Sequence, residues 1–191
     1  MAQKQLNIFL SASIPEERKN SKYFNSADVI AIRDAVIALV RVALPTYKLI
    51  WGGHPSITKL VANVLAHSDI NIQGCVTLYQ SLYYERFFPL ENNSVANIIT
   101  TPDLGEQESS EEELRERMIG GNNFYAGVFI GGMEGVEKEF EIFIQKHPHA
   151  KVIPIASSGA AAKNIFDRIS ADPRLLNNLA YSSLFKELLN L

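Results

Sequence analysis

A single cysteine, Cys75, removes two chemistries at once: the chain forms no internal disulfide and assembles no cysteine-rich zinc site. So low a cysteine content fits a reducing compartment, and Cys75 reads as a small apolar residue entering a strand. Basic clusters are also lacking. The 18 lysines and arginines are outnumbered by 21 aspartates and glutamates, and they form no basic block or arm. A net charge of -3 therefore gives no reason to expect a nucleic-acid polymer as partner, while a small anionic ligand stays compatible. Of the four histidines, His67, His147 and His149 fall at helix ends or in a turn, where surface placement is expected. No metal-ligand spacing links them, so neither a metal nor a resident cofactor is expected. No apolar run is long enough to span a bilayer, and Leu6 to Leu10, behind Met1-Ala-Gln-Lys-Gln5, is too short for a signal-peptide core. The expectation is a cytoplasmic protein. There is no Gly-x-Ser-x-Gly elbow and no lysine-hydroxyl pair after a glycine loop, and Ser157-Ser-Gly159 reads as a strand-to-helix turn. Repeats, low-complexity tracts and long linkers are absent too, so residues 1–191 read as one domain.

What the chain does contain is short apolar runs alternating with helical patterns, the mark of an α/β domain with a mainly parallel sheet flanked by helices on both faces. Strands are expected at Leu6 to Leu10, Leu49 to Trp51, Cys75 to Gln80, Asn97 to Thr100, Gly127 to Ile130 and Val152 to Ile155. In Ala27 to Ala43, the spacing of Val29, Ile32, Val36, Leu39 and Val40 sets one helical face against a sheet, and Pro45 ends it. Ser56 to His67 repeats the pattern. Gln107 to Ile119 is acidic, but Ser110 to Glu113 fits a capping box, and Gly120 and Gly121 close the helix. Further helices are expected at Glu134 to Lys146, about residues 160–169, and Tyr181 to Leu189. Two loops, Ser11 to Ser26 and Ser81 to Asn93, are longer than the fold requires. Both leave the C-terminal edge of the sheet, where ligands of such folds bind.

Two double-glycine turns stand on that edge. In Ala126-Gly-Val-Phe-Ile-Gly-Gly-Met-Glu-Gly135 an apolar run stops at Gly131 and Gly132, and an acidic helix begins at once. Gly131, Gly132 and Gly135 allow backbone N–H groups to approach a ligand beside Met133 and Glu134, and the helix dipole favours an anion there. The second turn, Trp51-Gly-Gly-His-Pro-Ser56, runs through Gly52 and Gly53 into a helix whose first turn tolerates Pro55. His54 either points into the pocket or caps that helix. With Phe9-Leu-Ser-Ala-Ser13, which offers the hydroxyls of Ser11 and Ser13 on either side of Ala12, these turns point to a nucleotide-like ligand.

Together the three motifs resemble the SLOG superfamily of Rossmann-like nucleotide-binding domains, which includes the DNA-processing Smf/DprA proteins and the Lonely Guy enzymes. The likeness is strongest to small prokaryotic SLOG families tied to defence and signalling. It implies a bound nucleotide-derived molecule of ADP-ribose or nucleoside phosphate type. Lonely Guy enzymes cleave the N-glycosidic bond of nucleoside monophosphates with an arginine on the preceding helix and a glutamate closing the glycine motif. These fall on Arg115 and, with one residue inserted at 133–135, on Glu139. Ile130 stands where that family has proline and Val136 where it has threonine, which favours binding over hydrolysis.

From the residues alone, Arg115 among Glu111, Glu112, Glu113 and Glu116 reads first as a solvated intrahelical ion pair. Likewise Glu134, Glu137 and Glu139 read as first-turn acids favoured by the dipole. Tyr83 and Tyr84 lie in the second long loop as candidates for stacking on a base. The closing segment is rich in leucine, which suggests a homodimer or larger homo-oligomer, with packing on the chain's own sheet as the alternative.

Overall fold

A computed structural model describes residues 5–17, 21–68 and 70–191; Met1 to Lys4 and part of the first long loop lie outside the described residues. Six strands form one all-parallel sheet: β1 (Asn7–Ser13), β2 (Lys48–Gly52), β3 (Val76–Ser81), β4 (Ile98–Thr101), β5 (Phe124–Gly131) and β6 (Lys151–Ile155). Their order across the sheet is β4-β3-β2-β1-β5-β6. The chain therefore builds outward from β1 to β4, crosses back to β5 and continues in the opposite direction. That reversal opens a crevice at the C-terminal ends of β1 and β5.

The helices are α1 (Ser21–Phe24), α2 (Val29–Ala43), α3 (Pro55–Ala66), α4 (Ile70–Gln73), α5 (Gln107–Arg115), α6 (Glu134–Lys146), α7 (Ala160–Arg168), α8 (Arg174–Asn177) and α9 (Tyr181–Leu189). Alternation along β1 divides the core. Ile8 and Leu10 pack with α2, α3 and α9 on one face, while Phe9 joins Phe129, Phe140 and Phe143 beneath α6 on the other. The aromatic face is tight, since a Cβ on Gly127 would lie 2.8 Å from the Phe143 ring. Leu175, Leu184, Phe185 and Leu189 are buried against the first core, so much of the leucine-rich closing segment packs on the chain's own sheet, while Leu179 stays exposed.

Three local expectations need correction. β1 runs three residues further than its apolar stretch, because Ser11 to Ser13 pair with β5 at Phe129 to Gly131 after β2 has ended. Ser110 does not cap α5. The helix starts earlier, behind Glu106, and the buried Ser110 hydroxyl accepts from Leu104 N–H at 3.0 Å. His147, expected at the surface, is half-buried edge-on to Phe124, with Nε2 2.8 Å from Ile119 O.

Candidate functional site

The double glycine at the end of β5 takes positive φ at both positions, +55° at Gly131 and +90° at Gly132. Side chains are excluded there by the protein itself. A Cβ at Gly131 would sit 2.4 Å from Ile32 Cδ1, and one at Gly132 2.4 Å from Val136 Cγ2. Gly131 N–H donates to Ser158 Oγ at 2.8 Å, and Gly132 N–H to Ser13 O at 2.8 Å. These two amides are thus engaged within the fold. The glycines instead aim the next residues. Met133 is the N-cap of α6 without a side-chain cap, and among the described residues no hydrogen bond engages the N–H groups of Met133, Glu134 or Gly135. The positive end of a 13-residue helix is therefore open at the crevice.

Arg115 reaches the same place from below. After α5 the chain makes a single π turn, Glu116–Gly120, a distortion that often re-aims side chains at functional sites. Arg115 is only 7% exposed, and Nη2 donates to Glu111 Oε2 at 2.9 Å. Its Nε is buried with no partner among the described residues. A Cβ added to Gly135 would lie 3.6 Å from Arg115 Nη2, so the guanidinium sits directly against the first turn of α6.

Glu139 lies one turn further along α6 and accepts from Ser11 Oγ at 2.5 Å. Its residue surface keeps a partial opening to solvent, yet protein surrounds the carboxyl. Burial pushes the Glu139 carboxyl above its ordinary range against the opposing Ser11 hydrogen bond and Arg115 charge, and the Glu111 charge adds to the rise. Glu111 goes the other way. Burial raises it, but hydrogen bonds from Tyr84 and Gln107 and the pairing with Arg115 outweigh that and hold it below. Tyr84 OH donates to Glu111 Oε1 at 2.5 Å, and burial together with that acceptor drives the phenol pKa upward. Ser11, Glu139, Arg115, Glu111 and Tyr84 thus form one polar seam under the α6 N-terminus.

The second glycine turn faces that seam from the side. A Cβ on Gly52 would lie 3.9 Å from Glu139 Oε1 and 3.4 Å from Met118 Cε, whereas one on Gly53 would meet Gln80 Nε2 at 2.4 Å. Gly53 is accordingly required by Gln80, and Gly52 borders the site. Of the two readings for His54, side-chain capping is not observed. Its Nδ1 lies 2.8 Å from Ser56 Oγ, which in turn accepts from Ile14 N–H at 3.3 Å and ties this turn to the end of β1. Ser13 is buried, and Ala12 is half-buried against the first core. Glu134 is exposed. Glu137 accepts from Asn164 Nδ2 at 2.7 Å, and Tyr23 beside it is pushed up to about 12 by burial first and then by Glu137. Tyr83 meets the Tyr84 ring edge-on at 5.0 Å. Sequence reasoning missed Glu111 and Met118 and did not separate Tyr84 from Tyr83. The i,i+4 spacing of Glu111 and Arg115 was the one signal available, and it reads as a surface pair unless burial is known. No group of three or more potential metal ligands occurs among the described residues. Two surface hollows, one beside Tyr181 and one beneath Val95, are lined by none of these side chains.

A six-stranded parallel sheet with its charged seam at the reversal point of strand order defines a Rossmann-like α/β protein. The chain belongs to the SLOG cluster3 family, whose model matches residues 22–189. That match begins after β1, so it does not include Phe9 to Ser13. The crystal structure of TM1055, a structural genomics target, is similar over 96% of this chain and 99% of that one, with a TM-score of 0.63 at 16% identity. At that identity the likeness shows the fold. No curated protein matches the chain. SLOG membership points to nucleotide-related binding or processing. Among the described residues no helix is long and apolar enough to cross a membrane.

Proposed function

We propose that the crevice binds a nucleotide-derived small molecule with an ADP-ribose or nucleoside phosphate core, in prokaryotic signalling or antiviral defence. The observation that carries this reading is the Arg115 guanidinium, almost wholly buried against Gly135 with Nε unpartnered among the described residues, beside three open amides of a helix N-terminus. Leaving a buried charged donor unmatched is costly, and an anionic oxygen at this place would supply the missing acceptor. Phosphate is the anion that suits both a helix N-terminus and an arginine fork. Glu139 and Ser11 lie on the sugar side of such a phosphate, where a carboxylate accepts from ribose hydroxyls.

A second reading is hydrolysis of the N-glycosidic bond of a nucleoside monophosphate. Its specific support is that Arg115 and Glu139, far apart in sequence, act electrostatically on each other in one seam. In that chemistry Arg115 orients the phosphate, and the ionised Glu139 stabilises positive charge developing on the ribose as the base departs with the bond's electron pair. Water then takes the base's place on the sugar. The binding reading ranks first because Val136, packed on Gly132, presents no hydroxyl at the start of α6. Incubation with nucleoside monophosphates and ADP-ribose, followed by chromatography, separates the two. Ligand recovered intact supports binding. Release of free base, lost in Glu139→Ala, promotes the hydrolase.

A further inference from the structure

Gln107, Glu111 and Arg115 follow one another at four-residue spacing on one face of α5, so the Glu111 carboxylate is claimed from both sides. Its Oε2 accepts from Arg115 Nη2 at 2.9 Å, and among the described residues that is the one hydrogen bond between the pair. Its Oε1 accepts from Tyr84 OH at 2.5 Å and from Gln107 Nε2 at 2.9 Å, which uses both lone pairs of that oxygen. A carboxylate and a guanidinium left to themselves favour a two-armed fork, both oxygens on adjacent N–H groups. Here the fork is half made. The oxygen that would complete it is held by two other donors, and the Arg115 Nε that would meet it is buried without a partner among the described residues. Tyr84 is in turn placed by the sheet. The segment after β3 begins at Ser81, whose Oγ accepts from Tyr83 N–H at 3.3 Å, and it is tied back further on by Asn92 Nδ2, which donates to Gln80 Oε1 at 2.6 Å. Gln80 and Ser81 are the last two residues of β3 and both are buried, so the segment that carries the phenol hangs from one rigid strand end.

We propose that Tyr84 is a positioning residue: together with Gln107 it restrains Glu111 to a one-armed pairing with Arg115, and so keeps the Nε–H of the guanidinium free for an anionic oxygen of the ligand. Glu111 then orients the arginine without saturating it. Removing the Tyr84 hydroxyl returns a lone pair of Oε1 to the arginine, and the fork closes on Nε. The protein gains an internal hydrogen bond at the place the phosphate would have used. This inference rests on the reading of Arg115 as the phosphate-binding group, but the restrained pairing belongs to the ligand-free protein and is measured there.

Tyr84→Phe is the test, read by heteronuclear NMR of the Arg115 Nε–H, assigned by its loss in Arg115→Met, and by isothermal titration with ADP-ribose. In ligand-free Tyr84→Phe the Nε–H proton should move downfield and exchange more slowly than in the wild type, with a melting temperature at or above the wild-type value. ADP-ribose affinity should fall about tenfold. Placed on Arg115→Met, Tyr84→Phe should cost nothing further, because it acts through that arginine. A tyrosine that merely packs would instead lower the melting temperature and leave the Nε–H where it was. Should Tyr84→Phe misfold, Gln107→Ala, at an exposed position, frees the same oxygen and should move the Nε–H in the same direction. An Nε–H unmoved by either substitution in the ligand-free protein would overturn the proposal, and so would an affinity loss that adds in full to that of Arg115→Met. A wild type that binds no nucleotide defeats the phosphate reading, while the Nε–H shift still decides whether Tyr84 restrains the pair.

Discussion

Arg115 and Glu139 owe their unusual states to a common cause, the removal of charged groups from water under α6. In the folded chain Glu139 holds its proton to higher pH than the unfolded chain does. Stability therefore declines as pH rises from the ordinary carboxylate range through the raised value, and the full contribution exists only below that range. Glutamine keeps an acceptor for Ser11 without the charge. Glu139→Gln should raise Tm at neutral pH, by about 2–4 °C for each kcal/mol relieved in a chain of this size, and much less in acid. Equal shifts in both buffers would mean that the carboxyl is not perturbed. The resemblance to the SLOG superfamily brought out Arg115 and Glu139, which the residues alone did not. It did not bring out Glu111, since an i,i+4 Glu-Arg pair looks the same on paper whether it is solvated or buried. Nor did it separate Tyr84 from Tyr83, because adjacent residues in a 3-10 turn diverge in direction only once the turn is packed.

Among the turns and helices, some glycines are required by the fold, whereas Gly135 borders the candidate site. Gly159 has φ +69°, and a Cβ there would lie 1.8 Å from Ser26 O, so Gly159→Ala should destabilise by about 3 kcal/mol or more, read as a lower Tm. Gly132→Val meets Val136 in the same way and would report on folding before it reported on any ligand. Gly135 is different. Its φ is not positive, and a Cβ would make ordinary contact with Arg115 Nη2. Alanine favours the helix by up to about 1 kcal/mol over glycine, so Gly135→Ala should hold or raise Tm while weakening nucleotide binding about tenfold. Loss of stability with unchanged affinity would place the ligand elsewhere. The elements themselves were legible wherever periodicity was strong, as in α2, α3 and α6. Their ends were not. The polar triplet at the end of β1 reads as loop because its pairing with β5 is remote in sequence, and Ser110 reads as a cap because its actual donor, Leu104 N–H, lies in a preceding turn that no pattern marks.

Across the whole molecule, the parallel α/β class followed from alternating runs, but the strand order did not. Nothing in the chain announces that β5 returns beside β1, and that return is what brings Ser11 within reach of Glu139. The closing helix illustrates the same gap, since an apolar face signals burial without saying whether its own sheet or another copy covers it. Here Leu184, Phe185 and Leu189 pack on the core, and each such side chain contributes about 2–5 kcal/mol. Truncation after Asn178 should therefore exceed the roughly 5–15 kcal/mol by which domains are stable and abolish cooperative unfolding. A folded truncated chain would contradict that placement. Whether Arg115 and the N-terminus of α6 hold a nucleotide phosphate, as proposed, is decided by isothermal titration of wild type and Arg115→Met with ADP-ribose and with AMP. The expected result is saturable binding of at least one of them by the wild type, weakened about 10- to 100-fold in a variant that keeps its fold, as loss of a charge-assisted hydrogen bond requires. Binding that is indifferent to Arg115→Met, or a folded wild type that takes up neither nucleotide, would contradict it.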